Sequence, residues 1–73
     1  MLYSMNQALL RAISYYGSQA SLARAIGVSA MSVSLWLKNG LPVSRAIEIE
    51  SATGGEITRE ELLPEIFRKQ SVS

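Results

Sequence analysis

QASLARAIGVSAMSVSLWL, residues 19–37, decides the fold. On both sides of Gly27 its apolar residues recur at three and four rather than two, the periodicity of helices. Leu22, Ala23 and Ile26 line one segment, and Val33, Trp36 and Leu37 line the next. Gly27 suits the left-handed backbone just past a helix end, and Ala23, four residues earlier, is small enough for two helices to cross closely. Ser18 and Ser29 stand where a hydroxyl accepts a bond from an unpaired N–H of a first helical turn. The apolar positions, the small residue and the glycine in one register predict a helix-turn-helix over residues 19–38, against an ordinary helical hairpin.

Working outward, a first helix is expected from Ser4 or Asn6 to Tyr16, with Met5, Leu9, Ala12, Ile13 and Tyr16 inward. A fourth runs from Val43 or Ser44 to Ala52, with Val43, Ala46, Ile47 and Ile49 inward. A fifth starts at Thr58, whose spacing to Glu61 is that of a capping box. Leu62, Leu63, Ile66 and Phe67 lay this helix over the core, with Pro64 interrupting it. The glycines and prolines fall at these boundaries. No segment reads as a strand, linker or repeat. The expectation is one all-α domain of about five short helices over residues 1–68, followed by a flexible tail, 69–73.

Composition removes whole classes of function. The chain has 73 residues, no Cys and no His. Disulfides, thiol nucleophiles, Cys/His zinc sites and Ser-His-Asp triads are excluded. No residue is placed to activate a serine, and pairs such as Glu48/Glu50 and Glu60/Glu61 read as solvated helix faces, so no catalytic site is expected. No Gly-rich phosphate loop is present, and no cofactor or metal is expected. No apolar run approaches the ~20 residues of a membrane span, and the opening residues do not read as a signal peptide. The expected location is the cytoplasm. A chain this small buries only about 60% of its unfolded surface, so pairing of copies would help stability.

The net charge of +1 conceals an asymmetry. Residues 1–47 carry Arg11, Arg24, Lys38 and Arg45 and no acid, while all six acids lie within residues 48–65 beside one base, Arg59. This division reads either as an anion-binding half beside a differently used half, or as scattered solvated charge.

Three stretches carry a family resemblance: NQALLRAI (residues 6–13), the core at residues 17–37, and LPVSRAIEIESATGGEITREELLPEI (residues 41–66). Together they resemble the Cro-type and YdaS-like regulators of phages and prophages, within the lambda-repressor-like group. The pattern from Pro42 to Gly55 is the more specific part. The resemblance implies a lambda-repressor-like domain that binds double-stranded DNA as a transcriptional regulator. It further implies a Cro-like repressor acting as a homodimer on a palindromic operator.

The helix after Gly27 is then the reading helix, with Trp36 in the core. By resemblance, Ser29, Ala30, Met31, Ser32, Ser34, Leu35 and Lys38 are its base-facing or groove-lining residues. Ser18, Gln19 and Ser21 at the preceding helix's start form a phosphate site, joined by Asn39 and Arg45. Arg24 is a secondary candidate, and Arg11 reads as a solvated surface charge.

The family often carries Gln, Asn, Lys or Arg among the reading positions. Met31 and Leu35 depart from this: they press on thymine methyls rather than making bidentate bonds. The alternative is an antitoxin-type regulator or interaction module binding a protein partner. It would act through the acidic segment or the Met31/Leu35 face. Tyr3, Leu10, Tyr15, Ile66 and Phe67 either cover the core or join a dimer interface.

Overall fold

The computed structural model of the protein describes residues 6–67. The expectations for Tyr3, Ser4, Met5 and the tail fall outside these residues. In chain order the helices are α1 (Gln7–Tyr16), α2 (Gln19–Ile26), α3 (Ala30–Asn39), α4 (Val43–Ala52), α5 (Arg59–Leu62) and α6 (Pro64–Phe67). There is no strand among the described residues.

α2 and α3 meet at 106°, within the ~90–120° of a helix-turn-helix. Gly27 makes this turn at φ 79° and ψ 32°. The Val28 N–H reaches back to the Ala23 carbonyl at 2.9 Å, closing α2 in a Schellman arrangement. Ala23 is buried at the crossing.

The expected fifth helix is two separate turns. Leu63 has φ −136° and ψ 70°, outside the helical region, because the ring of the following proline crowds its backbone. Pro64 then opens α6, where a missing N–H costs nothing. The capping box is present: Thr58 accepts the Glu61 N–H at 3.2 Å and Glu61 accepts the Thr58 N–H at 3.1 Å.

The core gathers Leu9 and Ala12 of α1, Leu22 of α2, Val33 and Trp36 of α3, and Ala46 and Ile49 of α4, closed by Leu41, Ile57 and Leu62. Trp36 is 8% exposed, so its aromatic face serves packing. Ile13, Tyr16, Ile26, Leu37, Leu63 and Phe67 pack around this centre, partly buried.

Two inward assignments on α4 do not hold. Val43 and Ile47 are 43% and 36% exposed. The helix carries apolar residues on two faces, and its buried line is Ala46, Ile49 and Thr53. Thr53 fixes that choice: its hydroxyl donates to the Ile49 carbonyl at 2.9 Å and accepts the Ile57 N–H at 3.2 Å. A buried hydroxyl so satisfied locks the loop leaving α4 to the helix it leaves.

Two longer ties close the structure. The Asn6 side chain caps α1 by accepting the Leu9 N–H at 3.0 Å, and its amide donates to the Leu62 carbonyl at 2.7 Å. The Tyr16 hydroxyl donates to the Ala52 carbonyl at 3.0 Å, joining α1 to α4.

Candidate nucleic-acid interface

α2 and α3 begin alike. Ser18 accepts the Ser21 N–H at 3.0 Å and donates to the Ser21 hydroxyl oxygen at 3.1 Å. Ser29 accepts the Ser32 N–H at 3.3 Å, with the two hydroxyl oxygens 3.2 Å apart. Each Ser-x-x-Ser pair spends one hydroxyl proton internally. In the first pair the Ser21 proton remains to be donated outward. Neither helix has an acid in its first turn, so the positive end of each helix dipole is unopposed there. The caps were legible from Ser18 and Ser29, whereas the hydroxyl pairing was not.

The outer face of α3 holds Met31, Ser34, Leu35 and Lys38, all exposed. Met31 is 70% and Leu35 48% exposed. Ser29 and Ala30 are exposed at the leading end, and Ser32 is half-buried against Ser29. Val33 and Trp36 of the same helix are buried. α3 therefore has one face in the core and one in solvent, as its sequence predicts. Gln19 and Ser21 are half-buried, and Ser18 and Asn39 are exposed.

The acidic segment folds back onto the bases. Arg45 meets Glu48 at 2.6 Å, Arg59 meets Glu50 at 2.5 Å, and Arg11 meets Glu61 at 3.2 Å. The Thr58 backbone N–H, then the Arg11 guanidinium, hold the Glu61 carboxyl below its ordinary pKa. Arg11 is thus an ion-pair partner rather than a lone solvated charge. Arg45, read as a phosphate contact, is paired with Glu48 on its own helix. The three-residue spacing from Arg45 to Glu48 was the signal for that pair. Among the described residues Arg24 and Lys38 take no part in an ion pair. They lie in the last turns of α2 and α3.

No group of three acidic, His or Cys side chains among the described residues could hold a metal ion. No single helix among them is long and apolar enough to cross a membrane.

A 106° elbow on a left-handed glycine, with a buried tryptophan behind an exposed helix face, defines a helix-turn-helix protein of the lambda-repressor-like class. The family described as bacterial toxin YdaS matches residues 9–71, and the chain belongs to it. The chain is 43% identical over 63 residues to the candidate transcriptional regulator YdaS of Escherichia coli K12, covering 84% of this chain and 64% of that protein. It is 33% identical over 58 residues to the repressor protein of the division inhibition gene dicB of the same organism, covering 80% of this chain and 76% of that one. Among solved structures it matches the Cro protein from the candidate prophage element Xfaso 1 of Xylella fastidiosa strain Ann-1. The TM-score there is 0.80 at 38% identity, covering 89% of this chain and all of that one. The fold and the Cro-type and YdaS-like resemblance expected from sequence are thus confirmed. The chain spans just under two thirds of the YdaS regulator's length.

Proposed function

We propose that the protein is a sequence-specific double-stranded DNA-binding regulator of transcription, a Cro-like repressor acting in the cytoplasm as a dimer on a palindromic operator. The observation that carries this reading is the solvent face of α3, free of acids and backed by buried Val33 and Trp36. Relatives bearing the names of a transcriptional regulator, a repressor and a Cro protein support it.

In this reading residues 1–68 form the DNA-binding domain and 69–73 a tail. α3 enters the major groove with Ser29, Ala30, Met31, Ser32, Ser34, Leu35 and Lys38 against the base edges. Ser18, Gln19 and Ser21 at the start of α2 grip one phosphate, and Asn39 and Arg45 grip others. Met31 and Leu35 favour thymine methyls, so base discrimination is modest and DNA shape contributes. The protein is a binder, with no catalytic role.

Selection of bound duplexes from a random pool, followed by a salt titration on the winner, tests this. A recurring site and an affinity that falls steeply with salt are expected. A flat salt response on every duplex sinks the reading.

The family's own description, bacterial toxin, keeps a protein target as the second reading. It differs from the antitoxin role that the sequence suggested. Lys38→Glu separates the two readings: loss of DNA binding with the biological effect retained favours a protein target.

A further inference from the structure

The most prominent ridge of α3 is apolar. At about 100° per residue Met31 and Leu35 lie about 40° apart, and their midpoint is about 150° from the centre of the buried pair Val33 and Trp36. They are 70% and 48% exposed, so whatever lies against the outer face of α3 meets these two side chains first. Ser34 and Lys38 lie to one side of the ridge, and Ser32 on the other side is engaged with Ser29. A leucine side chain has no donor or acceptor, and the methionine thioether is only a weak acceptor. Among the base edges of the major groove one group matches such a ridge: the methyl on C5 of thymine.

We infer that this ridge reads the C5 methyl itself, whichever pyrimidine carries it, so that 5-methylcytosine stands in for thymine at these positions. The inference rests on the proposed binding of duplex DNA and names what that site recognises. Thymine and 5-methylcytosine place the same methyl at the same point of the groove. They differ at position 4, where thymine has a carbonyl oxygen and cytosine an amino group. Telling those apart takes a side chain that hydrogen-bonds well, and the ridge has none. Methylation of cytosine at C5 therefore controls how tightly a site is held.

The spacing of the two residues adds a second constraint. One helical turn separates them along α3, a rise of about 6 Å, against about 3.4 Å for each stacked base pair. Each half-site therefore holds two C5 methyls within about two base pairs of each other.

Modified duplexes test this without altering the protein. On the duplex selected from the random pool, deoxyuridine replaces each thymidine in turn, which removes the methyl alone. Affinity should fall about fourfold at each of two positions within a half-site and stay unchanged elsewhere. At those positions 5-methylcytosine should bind about fourfold more tightly than cytosine. Met31→Ala should abolish the response to one methyl and Leu35→Ala the response to the other. Both side chains are exposed, so the fold is kept. Uracil duplexes bound as tightly as their thymine parent at every position overturn the inference, as does a methyl response that both alanine variants retain in full. In either case salt-sensitive binding to the selected duplex leaves the proposed function standing. Recovery of no site, with a flat salt response, removes the proposed function and this inference together.

Discussion

The α2–α3 unit and the α4–α6 region handle charge in opposite ways. From Ser18 to Asn39 there is no acid, and Arg24 and Lys38 face solvent without an ion-pair partner among the described residues. In α4–α6 both described bases, Arg45 and Arg59, are met by carboxylates of α4. A balance of charges over the chain says little about which of them a polyanion can reach. Pairing decides that, and pairing here follows the fold. The α2–α3 unit keeps its positive field because it carries no acid and no carboxylate of the described residues pairs with Arg24 or Lys38.

The largest effect that would sharpen this contrast lies on the stability side. Thr53→Val removes the acceptor for the Ile57 N–H in a buried site. It should cost about 2 kcal/mol by denaturant unfolding, while DNA affinity of the folded fraction is retained. Equal losses in both would mean the two regions are not separable.

Next, the Met31→Ala, Leu35→Ala double variant should keep its melting temperature, since both side chains are exposed. Its preference for the selected site over random duplex should fall about tenfold, from roughly 0.8 kcal/mol for each lost apolar contact. Unchanged selectivity would show that another face reads the DNA.

A direct comparison of bases follows. Lys38→Ala should reduce the slope of log affinity against log salt by about 1, with stability unaltered. Arg59→Ala should do the reverse. Its guanidinium is paired with Glu50 and lies 5.6 Å from the Phe67 ring centroid, so up to about 1 kcal/mol of stability is lost and the salt slope is kept.

The smallest effect concerns Glu61. Its carboxyl pKa is depressed in the folded protein, so it stabilises above the unfolded value of about 4.3 and loses that contribution as pH falls through the folded value. Because the group is largely exposed, the gap in melting temperature between wild type and Glu61→Gln should be modest at neutral pH. It should vanish in acid. A gap that persists at low pH would assign the effect to helix propensity.

These regions also differ in how much the sequence disclosed. The α2–α3 unit was legible because its signals are local: a glycine after Ile26, serines three residues ahead of the N–H groups they cap, and apolar residues at helical spacing. The inner face of α4 was not, since Val43/Ile47 and Ala46/Ile49 make equally good stripes. The tie-breaker is the Thr53 hydroxyl, whose partners exist only once the following loop folds back. Leu41 and Ile57, both buried, lie outside the helices and carried no periodic signal. At the candidate interface the exposure of α3 was readable, and the pairing of Arg45 with Glu48 was readable only as a spacing.

The Asn6–Leu62 hydrogen bond has a kinetic consequence. It joins residues 56 apart, whereas the caps and the Gly27 turn are made between near neighbours. Closing the long loop carries an entropic cost that local helix formation does not. The helix-turn-helix should therefore be organised at the folding transition state, and the seam between the start of α1 and the end of α5 should form after it. Asn6→Asp, which keeps an oxygen for the Leu9 N–H and removes the donor to Leu62, would then leave the folding rate nearly unchanged and accelerate unfolding. The seam acts as a late latch that governs how long each molecule stays folded.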